Sequence, residues 1–138
     1  MGRAALTSEE YTLTLPDPES DAAVRAAIRA TLSRRALERI RSRIGYYAPR
    51  IGVQSGRVTI REQKTRWGSC SSRHNLNFNW KLVMAPPEAL SYVVLHELCH
   101  LREFSHSPKF WKLVKSLMPE YEIWKKWLKD HGSELTLG

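Results

Sequence analysis

Residues 86–101 read Pro86-Pro87-Glu88-Ala89-Leu90-Ser91-Tyr92-Val93-Val94-Leu95-His96-Glu97-Leu98-Cys99-His100-Leu101. Proline suits the first turn of a helix, and an acid such as Glu88 suits its positive end, so a helix opens here. Leu90, Val93, Val94, Leu95, Leu98 and Leu101 are its apolar residues. His96 and His100 are four apart, which on a helix leaves them about 40° and about 6 Å from one another. Both imidazoles then lie over one patch of surface, at the separation a single zinc ion needs. Glu97 sits beside that face and suits a general base acting on a metal-activated water, not a ligand. HExxH also arises by chance, but here apolar neighbours would bury three polar side chains. That costs several kcal/mol unless a metal removes the penalty.

A catalytic zinc takes a third protein ligand and keeps one position open. His106 is the first candidate. On an unbroken helix it would lie about 9 Å beyond His100 and face away, yet Ser107-Pro108 begins a new helix, so the chain between can fold back. Glu120, Glu122 and His74 are weaker rivals, and His131 reads as a helix C-terminal charge. Cys99 points off the ligand face and reads as a small core residue. Cys70 follows Trp67-Gly68-Ser69 in an expected turn. The two show no CxxC pairing and cannot build a disulfide scaffold, so a reducing, cytoplasmic setting is expected.

Outward from this helix the pattern is α+β. Ser107-Pro108 opens a third helix through Met118 with Phe110, Trp111, Val114 and Leu117 as its buried stripe, and Pro119 breaks it. Tyr121 to about His131 forms a last helix stopped by Gly132. Upstream, Arg57–Arg61 and Asn75–Trp80 alternate apolar and polar residues, the mark of strands in an antiparallel sheet with one wet face. From Ser20 to Ile44 a long helix carries Val24, Ile28, Leu32, Leu37, Ile40 and Ile44 near one face, with Gly45 as its stop. GYYAPRIGVQSG then reads as a connection, and residues 1–19 as a loose N-terminal arm before a single domain over 20–138.

The 138 residues favour one domain, and no apolar run approaches the roughly 18 residues of a membrane span. The net charge of +8 is uneven: residues 1–20 carry −3, 21–64 carry +8 and 65–138 carry +3. The basic helix 21–44 can therefore recruit a nucleic acid or a nucleotide, or serve only as a solvated face.

The ordered series Arg66-Trp67-Gly68-Ser69-Cys70-Ser71, Leu76-Asn77-Phe78-Asn79-Trp80, Met84-Ala85-Pro86-Pro87, Tyr92 through Leu101 and His106-Ser107-Pro108-Lys109-Phe110-Trp111 resembles the YgjP-like metallopeptidases. These group with the SprT and WLM families among small zincins. The similarity covers roughly residues 20 to 131. It implies a minimal zincin fold, with helices on a small antiparallel sheet and HExxH on a central helix. It also implies one Zn2+ held by His96, His100 and His106, with Glu97 as base. Family members carry a longer N-terminal β-rich part, so the chain reads as a shortened form. The His96–His106 spacing equals that of metzincins, but Glu103 stands where they use glycine, and Met118 is read as core.

The leading expectation is zinc-dependent hydrolysis of a peptide bond in a peptide or protein substrate. Arg66, Asn77 and Asn79 are candidate substrate-binding residues, the asparagines on the wet face of their strand. Two alternatives keep the metal. One is a nucleoside triphosphate phosphohydrolase using the arginine-rich helix, without a Gly-rich phosphate loop. The other is a DNA-associated, SprT-like protease whose binding falls with salt.

Overall fold

The computed structural model describes residues 21–63 and 66–135; the arm expected over residues 1–19 lies outside them. Helix α1, Asp21–Ile51, is the longest element. Its buried stripe runs through Ile28, Leu32, Ala36, Ile40, Ile44, Tyr47 and Ile51, spaced three or four apart as one helix face requires. Leu37, expected on this face, is only half-buried, and Ala36 takes its place at 0% exposure.

The helix does not stop at Gly45. It continues through Pro49 because Tyr47, Ala48 and Ile51 are buried there. Their burial offsets the roughly 1 kcal/mol that a glycine costs inside a helix. Gly52 is the actual stop, with φ of 84°. Its N–H and that of Val53 both donate to the Ala48 carbonyl, at 2.9 and 3.1 Å. Arg43 Nε donates to Ser91 Oγ at 2.7 Å, and Arg102 Nη1 to the Ile51 carbonyl at 2.8 Å, tying α1 to the helix that bears HExxH.

Three strands follow: β1 (Val58–Arg61), β2 (Gly68–Cys70) and β3 (Leu76–Asn79), in the order β1-β3-β2. The sheet is mixed, which corrects the antiparallel expectation. β3 runs parallel to β1, with Val58 opposite Leu76, and antiparallel to β2, with Gly68 opposite Phe78. The reason is a strand hidden in the expected turn. Gly68-Ser69-Cys70 is extended, and the tight reversal is Ser71–Asn75, closed by Ser71 N–H on the Asn75 carbonyl at 2.9 Å. His74 supplies the left-handed residue of that turn, with φ of 66°. Two reversals between β1 and β3 leave them pointing the same way.

A 3₁₀ turn over Trp80–Met84, unforeseen in the sequence, leads into α2, Pro87–His100. Apolar nearly all round, α2 is the buried centre of the domain. α3 (Pro108–Leu117) and α4 (Tyr121–His131) follow the periodicity, and a short 3₁₀ turn, Gly132–Glu134, ends the described chain. Met118 is a core residue at 4% exposure. No helix among the described residues is long and apolar enough to cross a membrane.

Candidate metal centre and its cleft

His96 and His100 stand one turn apart on α2, and the chain leaves the helix immediately afterwards. The loop from Leu101 to Ser107 returns His106 to them. The three Nε2 atoms form a triangle with sides of 3.2 Å (His96–His100), 2.9 Å (His100–His106) and 3.3 Å (His96–His106). Tetrahedral zinc at about 2.0–2.1 Å from each nitrogen would space them about 3.3 Å apart. Two of the outer nitrogens are engaged elsewhere. His100 Nδ1 lies 3.3 Å from the Glu103 carbonyl, to which it donates, and His96 Nδ1 lies 3.3 Å from the Tyr92 hydroxyl. With its Nδ1 donating to Glu103, His100 keeps an Nε2 lone pair facing the other two Nε2 atoms, the arrangement a metal ligand needs. Three imidazoles with no thiolate suit zinc. Among the described residues this is the one group of three or more His, Cys, Asp or Glu whose ligand atoms fall within 4.8 Å of each other.

Burial, then the His100, His106 and Lys125 charges, holds the His96 ring down to about 3. Burial and His106 lower His100 as well. Both rings are thus neutral at pH 7, so no proton competes for the lone pairs.

A second layer of rings packs against these histidines. Phe110 stacks on His100 at 4.4 Å and meets His96 edge-on at 5.0 Å. Trp111 lies parallel to His106 at 5.8 Å, Tyr121 parallel to Trp111 at 5.4 Å, and Tyr92 parallel to Tyr121 at 6.3 Å. Sequence reading treats Phe110 and Trp111 as core alone and gives Tyr92 and Tyr121 no role. The available signal was Tyr92, four residues before His96 and so on the same helix face.

Beside the metal centre opens a cleft of about 280 Å³. Tyr92, Val93, His96 and Glu97 of α2 form its floor, Trp67 and Gly68 one wall, and Lys125, Leu128 and Lys129 of α4 the other. Glu97 is 7% exposed, and no hydrogen-bond donor among the described residues engages its carboxylate. Burial pushes this carboxyl up to about 7, with the Arg66 charge partly opposing. In the metal-free chain the folded state therefore keeps a proton that the unfolded chain releases near 4.5. Raising the pH between those values costs stability, and the loss is complete above about 7. Glutamine, the neutral isostere, avoids that loss. Glu97→Gln is expected to raise the Tm of chelator-treated protein at pH 8, the gain fading below pH 4.5. Thermal scans across pH check it, and a pH-independent difference would contradict a buried, uncompensated carboxylate.

Gly68 lets β2 lie directly on the Glu97 side chain. A Cβ there would stand 3.1 Å from Glu97 Cγ, 3.1 Å from Phe78 Cδ1 and 3.2 Å from Val93 Cγ1. Gly68→Ala is expected to cost about 1–3 kcal/mol and to lower any Glu97-dependent turnover, read by urea unfolding and by kcat. Unchanged values of both would show the strand has room to move.

The other sequence candidates are placed differently. Arg66 is exposed and its charge acts on Glu97. Asn77 is half-buried mid-strand, opposite Thr59 and Ser69. Asn79 is not on a wet face: it is 2% exposed. Its Nδ2 donates to the Gln63 and Arg66 carbonyls at 2.8 and 3.2 Å, and its Oδ1 accepts from Lys81 N–H at 3.1 Å. Asn79 is thus spent on holding the loop before β2 and on capping the 3₁₀ turn. His131 Nδ1 pairs with Glu134 at 2.9 Å. Both cysteines are free, burial pushing Cys70 up to about 11 (with Glu97 adding) and Cys99 up to about 12.

The chain's fold is similar to that in the crystal structure of the metallopeptidase zymogen of Pyrococcus abyssi abylysin. That likeness has a TM-score of 0.59 at 20% identity, covering 66% of this chain and 93% of that one. The metallopeptidase zymogen of Methanocaldococcus jannaschii jannalysin gives a TM-score of 0.57 at 23% identity, over 68% and 95% of the two chains. A comparison with curated proteins gives no significant match. The family model of the YgjP-like metallopeptidase domain matches residues 3–131, taking in both helical histidines, the glutamate between them and the histidine beyond the break. On that match the chain belongs to the YgjP-like metallopeptidase family.

Proposed function

We propose that the protein is a zinc-dependent peptidase in which His96, His100 and His106 hold one ion and Glu97 is the general base. The observation that carries this reading is the convergence of three Nε2 atoms within 3.3 Å of each other, beside an open cleft that is lined by His96 and by the buried carboxylate of Glu97. Zinc bound there supplies Lewis acidity, polarising a carbonyl and acidifying water. Glu97 takes the proton of the attacking water and returns it to the leaving amine nitrogen, breaking the C–N bond. Among the described residues β2 pairs only with β3, so its outer edge offers backbone groups to an extended substrate beside the cleft.

The test is a substrate comparison. Zinc-loaded protein is given unstructured polypeptides and, separately, nucleoside triphosphates, each against the Glu97→Gln variant. Glu97-dependent peptide cleavage supports the proposal; Glu97-dependent phosphate release without peptide cleavage would replace it.

A further inference from the structure

The cleft is chemically lopsided. Its inner end holds His96 and Glu97, and its middle is apolar through Trp67, Val93 and Leu128. Its outer wall carries two ammonium groups, Lys125 and Lys129, four residues apart on one face of α4. Like charges at that spacing repel and weaken a helix unless something neutralises them. Their neighbour Lys126 has a partner, Asp130, at 3.5 Å. No carboxylate among the described residues pairs with Lys125 or Lys129. Lys125 is also positioned: its Nζ stands 4.2 Å from the centre of the Trp111 ring, the ring stacked beside His106. Two unneutralised cations at the mouth of an apolar slot, one of them held against the ring layer of the metal centre, describe a receptor for an anion on a short aliphatic stem.

We propose that the cleft takes a carboxylate-bearing residue of the substrate next to the bond to be cut. Lys125 and Lys129 hold the carboxylate, and Trp67, Val93 and Leu128 cover its stem. This rests on the peptidase reading above. Two sources supply the chemistry: the side chain of an internal Glu or Asp, or the free carboxylate at a peptide's C-terminus. A lysine side chain in the same place would meet two like charges and be rejected.

The experiment uses zinc-loaded protein and matched amidated peptides carrying Glu, Gln or Lys at each position flanking the cleaved bond. A Gln peptide with a free C-terminus forms a further arm. Cleavage is measured as kcat/KM on the active protein, and binding by fluorescence anisotropy on the Glu97→Gln variant. Glu is expected to be favoured over Gln by about tenfold in both readouts, the advantage shrinking at high salt. Gain confined to the free-carboxylate arm assigns the terminal source, and gain in the amidated Glu peptides the side-chain source. Lys125→Gln/Lys129→Gln should bring the Glu-to-Gln ratio near one, and Lys125→Glu/Lys129→Glu should reverse it in favour of Lys. Equal binding of amidated Glu, amidated Gln and free-C-terminal Gln peptides, or a preference that survives charge reversal, overturns the proposal. Absence of cleavage of every peptide overturns the peptidase reading instead, and the binding arm still decides the pocket.

Discussion

His100→Ala protein is expected to leave purification without zinc, while the parent chain carries one ion, and to lose peptide cleavage entirely. His100 Nε2 stands within 3.2 Å of both other ligand atoms, so its removal opens one side of the triangle. If zinc held by such a set is worth about 10 kcal/mol, losing a third of it weakens binding at least about a hundredfold. No substitute donor is at hand, since among the described residues no fourth His, Cys, Asp or Glu joins the group. Stability should register the same loss: ligand at about 1,000 times its Kd adds about 4 kcal/mol to unfolding. Zinc should thus raise the Tm of the parent strongly and that of the variant little. Metal analysis, chelator competition and thermal scans with and without zinc make the check. Full zinc occupancy with parental affinity in the variant would remove His100 from the metal centre.

The second large effect separates metal holding from proton transfer. Glu97→Gln keeps the size and burial of the side chain, leaves His96, His100 and His106 untouched, and takes away only the proton acceptor. Zinc content and affinity should stay within about threefold of the parent, because glutamate contributes no ligand atom to the triangle. Turnover should fall by about 10²–10⁴, the range general base catalysis supplies. Steady-state kinetics on metal-verified protein reads the split. The fall should appear in kcat more than in KM, since the lost interaction belongs to the transition state. A variant within tenfold of the parent kcat would show that another group takes the proton.

Local rules made much of this molecule legible in the sequence. Two histidines four apart on a helix must share a face, and a proline after His106 must end one helix and begin another. Those facts put His96 and His100 on one face and leave the chain free to return His106 toward them. What stayed hidden depends on distant partners. Gly45 looks like a stop because its cost is local, whereas the burial of Tyr47, Ala48 and Ile51 that overrides it is tertiary. The parallel pairing of β1 with β3 follows from a three-residue strand too short to show periodicity. Asn79 alternates like an outward residue, yet the Gln63 and Arg66 carbonyls lie against it and accept its hydrogen bonds. The closeness of Gly68 to Glu97 joins two elements that share no sequence neighbourhood.

The strand order has a consequence for vectorial synthesis. β3 is the last of the three strands to leave the ribosome, yet both others pair with it and not with each other. Until Asn79 has emerged, the earlier strands have no hydrogen-bonding mate. α1 likewise waits for α2, whose Ser91 receives its Arg43. His106, the third candidate ligand, follows all three strands and α2 in the chain, so it emerges after them.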